Sequence, residues 1–262
     1  MSVTRHIVPQ WTFEGNPRQR LEEPSGPDRW EQGSSTLAEV TYLSLNLFPL
    51  GTVVYPGSLL PLHIFEDRYR RMVTELLAQE QGRRRFGVVA IKAGREAWDE
   101  GRSDLYQIGC TAVLQRVEAY RDGRFDLLAV GESRFRLDSV DASSDLVRGT
   151  AELIPDSTPS GSPVLAGKVS RRFEQYVTAL RTAGGIREDD EDVLPSEPTA
   201  LSFFVADGMI LDLTDKQSLL EAATTDDRLR LELEYLRREA AMLQQFAMRP
   251  AVELPRAPYS TN

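Results

Sequence analysis

Apolar residues come in short runs as far as Pro155 and in helical stripes beyond it. Leu47 to Phe65 reads LFPLGTVVYPGSLLPLHIF, two apolar segments punctuated by Pro49 and by Pro56-Gly57, and this predicts two strands around a turn. Glu66 to Leu77 follows at once, with Tyr69, Met72, Val73, Leu76 and Leu77 on one helical face and Gly82 as the expected stop. Phe86–Ile91 reads as a fully buried strand. Tyr106–Tyr120 and Phe125–Val130 flank Asp122-Gly123, a strong hairpin signal, and Gly131 predicts a bulge or bend in the returning strand. Phe135–Leu137 and Leu146–Ile154 complete the set. Several short strands, one hairpin and one inserted helix predict a compact, partly closed barrel over residues 43–155.

Residues 156–163, DSTPSGSP, form a turn-rich linker. A helical bundle is predicted over 164–249. Leu165, Val169, Phe173, Tyr176, Val177 and Leu180 make its first stripe, closed by Gly184-Gly185. The acidic run Glu188–Asp192 reads as a solvated loop, and a further helix is expected from Thr199 to Gly208. Thr214 and Gln217 have capping-box spacing ahead of Leu219-Leu220. Leu229, Leu233, Leu236, Ala240 and Leu243 step by four and three, a seam for a final long helix. That seam packs against Leu165–Leu180 or pairs with a second chain. Residues 1–42, rich in Pro and polar residues, predict a flexible N-terminal arm, unless Trp11, Phe13 and Trp30 tie it down; residues 250–262 read as a tail.

Charge narrows the functional classes. The net charge is −9, yet residues 43–155 carry 15 Arg/Lys against 16 Asp/Glu, so the barrel lacks the basic balance of a nucleic-acid-binding domain. No apolar run reaches the roughly 18 residues of a membrane-spanning helix. The first residues lack a secretory pattern, and one cysteine, Cys110, cannot form an internal disulfide. A cytoplasmic protein is the reading, with no membrane partner.

Three segments resemble the substrate-binding N-terminal domain of the Lon protease family. The first is the Leu47–Leu77 strand–turn–strand–helix. The second is Leu105–Asp138, with its Tyr-x-x-Gly start and Gly-x-x-Arg-x-x-Leu return. The third is Ile210–Glu239, where Lys216-Gln217 opens a helix ahead of the last one. The resemblance covers residues 43–245 in the expected order. It implies an α+β fold, a PUA-like partly closed β-barrel with one inserted helix, followed by a helical bundle ending in a long helix. It also implies recognition of polypeptide. The ATPase and Ser-Lys protease that follow this domain in full-length Lon have no counterpart after Pro250, so a non-enzymatic module is expected.

The residues give no competing chemistry. Gly161 to Val169 departs from a phosphate loop in spacing and lacks its hydroxyl. His6 and His63 are the only histidines, so no metal site or cofactor is expected, and His63 reads as a surface or hydrogen-bonded residue. Cys110 sits in an apolar strand, and no serine motif accompanies Lys168 or Lys216. The leading expectation is a polypeptide-recognising surface in a groove between barrel and bundle, with Pro56, Leu59 and Leu60 as candidate contacts. An alternative is RNA contact through Arg83, Arg84 and Arg85; another is an adaptor acting in trans on a complete ATP-dependent protease.

Overall fold

A computed structural model describes residues 42–92, 105–156, 161–184 and 193–247. Six strands come first: β1 (Tyr42–Leu50), β2 (Leu59–Ile64), β3 (Arg85–Ala90), β4 (Ile108–Ala119), β5 (Phe125–Asp141) and β6 (Arg148–Leu153). Helix α1 (Asp67–Leu77) lies between β2 and β3, and four helices follow: α2 (Pro163–Gly184), α3 (Pro198–Gly208), α4 (Leu213–Glu221) and α5 (Thr225–Ala247). This is the α+β plan implied by the resemblance. The candidate arm, the acidic loop, His6 and the tail lie outside the described residues.

The strands run in the order β2-β5-β4-β3-β1-β6, and β6 also pairs with β5, which closes a five-stranded ring. Closure depends on the length of β5. Its first part pairs with β2 (Ile64↔Phe125 to Leu59↔Val130) and its last part with β6 (Phe135↔Leu153 to Asp141↔Arg148). The separate Phe135–Leu137 segment expected from the apolar pattern is the continuation of this one strand. The pattern broke there because strands whose faces alternate interleave polar residues such as Arg134 and Arg136.

The Asp122-Gly123 turn joins β4 to β5, with Gly123 at φ 84° and its N–H donated to the Tyr120 carbonyl at 3.0 Å. The ladder slips between Cys110↔Arg134 and Ala112↔Gly131, so the expected bulge follows Gly131 directly. A Cβ on Gly131 would collide with the Tyr55 carbonyl, because the Pro56-Gly57 turn lies across the strand here. Gly57 N–H donates to Gly131 C=O at 2.8 Å, and Gly131 N–H donates to Ser58 C=O at 3.0 Å.

Helix α1 buries Tyr69, Met72, Val73 and Leu76 against Phe48, Phe86 and Leu114. Gly82 does not end it. The helix stops at Leu77, where Ala78 N–H returns to the Thr74 carbonyl at 3.2 Å, and Gly82 falls in a separate 3-10 turn, Gln81–Arg83. In the bundle, Val169, Phe173 and Tyr176 of α2 join Leu229 and Leu236 of α5 in one core, so the seam packs within the chain. The Thr214–Gln217 capping box is not formed. Asp212 caps α4 by accepting Asp215 N–H at 2.9 Å, which places Thr214 inside the helix. An Asx cap two residues earlier satisfies the same free N–H groups. Gly161 precedes the first turn of α2, where Ser162 N–H meets the Asp226 carboxylate of α5 at 2.7 Å. That segment is a helix start braced by a neighbouring helix.

Candidate binding surface

On β2 the side chains alternate as strand geometry requires. Leu60 and Ile64 point into the barrel core, while Leu59, Pro61 and His63 face outward. Phe65 continues that outer row and is 62% exposed. Register extends it across the sheet. Leu59 pairs with Val130, which pairs with Val113 of β4, and Pro61 pairs with Leu128. Val113, Leu128, Val130 and Leu59 are only half-buried. An antiparallel sheet commonly turns its polar positions to water; here Leu59, Pro61, Leu128, Val130 and Val113 make an apolar stretch on the outer face, bordered by the exposed Arg116 and Glu118 of β4.

The row ends in an aromatic group. The His63 ring lies 6.2 Å from Phe65 and 6.5 Å from Tyr120, both ring centroids, and Tyr120 is 39% exposed. Asp126 lies beneath them. It pairs with His63 Nδ1 at 2.6 Å and accepts the Tyr120 hydroxyl at 2.5 Å. Burial works against the Asp126 charge, but these hydrogen bonds prevail and hold its carboxyl below the usual range. His63 is thus a hydrogen-bonded surface residue, and among the described residues no cluster of His, Cys, Asp or Glu is arranged to hold a metal. Cys110 is buried and hydrogen-bonded to the Thr111 carbonyl, and burial pushes its thiol pKa up, away from a reactive thiolate.

Of the candidate contacts, Leu60 belongs to the core, whereas Leu59 and Pro56 are half-buried. The expected groove between barrel and bundle is filled. Val53, Tyr55 and Ala90 of the barrel share one hydrophobic core with Phe203, Leu219 and Leu229 of the bundle. Polar groups lock this joint. Tyr55 donates its hydroxyl to the Lys216 carbonyl at 2.8 Å, and Gln217 Nε2 donates to the Ile108 carbonyl at 2.9 Å. Arg134, 2% exposed, donates to the Leu220 and Ala222 carbonyls at 2.9 and 2.7 Å and pairs with Asp156 at 3.1 Å. A strand arginine thereby satisfies the bare carbonyls at the end of α4, where the helix dipole also favours a cation.

Sequence reasoning missed the deepest part of the joint. Arg228 and Glu232 of α5 are fully buried. The Arg228 guanidinium stacks 3.7 Å from the Phe203 ring centroid and its Nε donates to Ser202 Oγ at 2.8 Å, but both terminal nitrogens lack hydrogen-bond partners. Both Glu232 oxygens lack them too. Burial raises the Glu232 carboxyl well above its ordinary value, although Arg228 opposes the rise. Burial and the nearby Arg134 charge push Arg228 down to about 10, which leaves it charged at neutral pH. The spacing of four on α5 was visible; nothing in it marked the pair as buried rather than as a solvent-facing ion pair.

The arginine run does not form one patch. Arg84 turns back to α1, donating to the Gln79 and Leu77 carbonyls at 3.0 and 3.2 Å, while Arg83 and Arg85 point elsewhere.

Residues 44–238 match the ATP-dependent protease La (LON) substrate-binding domain. The chain belongs to that family. It is 25% identical over 205 residues to Lon protease 2 of Syntrophobacter fumaroxidans and 29% identical over 202 residues to Lon protease 1 of Thermus thermophilus. These alignments cover 76% and 75% of this chain but 25% of each relative, so the chain spans about a quarter of the length of the Lon proteases it matches. Among solved structures, the Lon N-terminal domain protein from Xanthomonas campestris superposes with a TM-score of 0.51 at 23% identity, covering 79% of this chain and 99% of that one. The N-terminal domain of Mycobacterium avium complex Lon protease gives 0.51 at 17% identity, covering 74% and 98%. Both share the fold. The match is to the substrate-binding domain of the Lon family rather than to its protease domain. No helix among the described residues is long and apolar enough to cross a membrane. Arg134 and Gln217, residues of the motifs that carried the resemblance, are among those that join the Lon-type barrel to its bundle.

Proposed function

We propose that this chain is a non-catalytic module that binds unfolded polypeptide through the outer face of β2, β5 and β4. The carrying observation is the apolar row Leu59, Pro61 and Phe65, flanked by Leu128, Val130 and Tyr120, on a face that a sheet ordinarily presents to water as polar. Family membership supports the reading, because the matched domain is a substrate-binding one. Apolar side chains of an unfolded segment would gain roughly 25 cal/mol for each Å² they cover here, while a folded protein would offer few such side chains. Leu59 and Pro56 contribute from the edge of the face, and Leu60 supports it from inside.

The test is binding of fluorescently labelled, reduced and carboxyamidomethylated α-lactalbumin to the whole chain. The unfolded probe should bind and its native form should not, and Phe65→Ser should weaken binding about tenfold. Phe65 is exposed, so the melting temperature of the variant should stay within the range of ordinary surface substitutions. Failure of the unfolded probe to bind would sink the reading. Binding unaltered by Phe65→Ser would remove this face from it.

A further inference from the structure

Strand β1 changes partner half-way along. Tyr42–Asn46 pair with β6, and Leu47–Leu50 pair in parallel with β3. Backbone groups alternate sides along a strand. Leu47 N–H bonds to the Val147 carbonyl, and the Leu50 carbonyl accepts Ile91 N–H, both at 2.8 Å. Odd-numbered residues of β1 therefore face β6 and even-numbered ones face β3. Ser44 directs its N–H and C=O toward β3, yet the β1–β3 register begins only at Leu47↔Gly87. The two strands splay apart there, and a groove of about 580 Å³ opens between them.

Three arginines line this groove: Arg83 from the turn after α1, Arg85 from the start of β3, and Arg148 from β6. Asn46 and Gln79 add polar groups, Leu45 and Leu76 give it an apolar floor, and no carboxylate lines it. Each arginine has an acid outside the groove at a loose distance. Glu80 lies 3.7 Å from Arg83, Glu132 lies 3.4 Å from Arg85, and Glu75 lies 3.7 Å from Arg148. Charge-assisted pairs close to about 2.7–2.9 Å, so these ion pairs are slack; Arg85 also donates to the Gly82 carbonyl at 3.2 Å and Arg148 to Asn46 Oδ1 at 3.1 Å, both neutral acceptors that leave the charges unneutralised. Arg84, which would add a fourth charge, is engaged with the end of α1.

We propose that this groove binds an extended polypeptide segment bearing acidic side chains. Arg83, Arg85 and Arg148 receive its carboxylates, and the open edge at Ser44 receives its backbone, as in strand addition to a sheet edge. The inference rests on the reading that the chain binds polypeptide, and adds a charged subsite apart from the apolar outer face. An acidic peptide fits better than RNA. No aromatic side chain lines the groove to stack a base. A leucine floor suits aliphatic side chains, and the N–H and C=O that Ser44 directs into the gap match a peptide backbone.

The probes are a short Thr/Val peptide with Glu at alternate positions, its Gln counterpart, and a uridine oligonucleotide, each labelled and titrated with the whole chain. The Glu peptide should bind about tenfold more tightly than the Gln peptide, the size of one or two charge-assisted contacts. The double variant Arg83→Gln/Arg148→Gln should abolish that preference with an unchanged melting temperature. Backbone amide signals of Ser44 and Asn46 should shift on adding the Glu peptide. Equal binding of the two peptides, or a preference that survives in the double variant, overturns the proposal. If unfolded α-lactalbumin still binds in that case, only the groove inference falls; if it does not, the polypeptide-binding reading falls with it. An oligonucleotide bound through Arg83 and Arg148 while the Glu peptide is ignored overturns the proposal in favour of RNA.

Discussion

Arg134 and Arg148 sit on paired strands of one barrel, β5 and β6, and their surroundings give them opposite roles. The Arg134 side chain is 2% exposed, reaches into the bundle, and meets two backbone carbonyls and Asp156. The Arg148 side chain is 54% exposed and holds Glu75 at 3.7 Å and the Asn46 side chain at 3.1 Å. In water a loose ion pair contributes little, because Coulomb energy is screened and ordering two long side chains costs entropy. Inside the joint the same guanidinium cannot be removed without leaving bare carbonyls and an unopposed carboxylate. A buried arginine holds the architecture, whereas an exposed one with slack pairs is available to a ligand.

The sharpest way to break this contrast is Arg134→Ala. It should cost about 3–5 kcal/mol of global stability, the scale for breaking a buried charged interaction, read as a lower urea midpoint. An effect below about 1 kcal/mol would mean that α4 and the barrel are held by apolar packing alone. Next is Gly131→Ala, which drives a Cβ into the Tyr55 carbonyl where the strand meets the Pro56-Gly57 turn. A loss of about 2–3 kcal/mol is expected, at the strong end for single substitutions. Because the clash is with backbone, the turn must move, and the Tyr55–Lys216 hydrogen bond should weaken with it.

Glu232→Gln sharpens the comparison through pH. Burial raises the Glu232 carboxyl in the folded state, so folded protein keeps a proton that unfolded protein releases above the ordinary value of 4.5. Stability of the native sequence should therefore fall as pH rises from 4.5 through the raised folded value. Gln cannot ionise, and its stability should be flatter. The two proteins should melt alike below pH 4.5, and the variant should be the more stable of the two at the upper end. A native curve that rises across this window would show that Glu232 is ionised and paired with Arg228. The smallest effect is expected at Arg148→Gln, within about 0.5 kcal/mol in stability, as for exposed ion pairs. It should still reduce the preference for Glu over Gln peptides.

Local signals carried much of the fold. The stripe in Glu66–Leu77, the Asp122-Gly123 hairpin, the bulge at Gly131 and the α5 seam were legible because each depends on residues a few positions apart. Signals with two local solutions were misread. Gly82 serves a 3-10 turn rather than the end of α1, and Asp212 rather than Thr214 caps α4. Leu59 and Leu60 are equally apolar, and only register shows which one faces out.

The order of apolar and polar residues by itself determined a strand-rich half followed by a helical half, and the spaced motifs identified the family. It did so because periodicity and turn chemistry are local. Tertiary structure alone decided which charges are buried. Arg134 reaches carbonyls some 86 to 88 positions away, and Ser44 faces a gap because β3 leaves β1 at Gly87. Burial and strand splaying arise from contacts between distant segments, and a guanidinium has the same formula in a sealed joint as in an open groove.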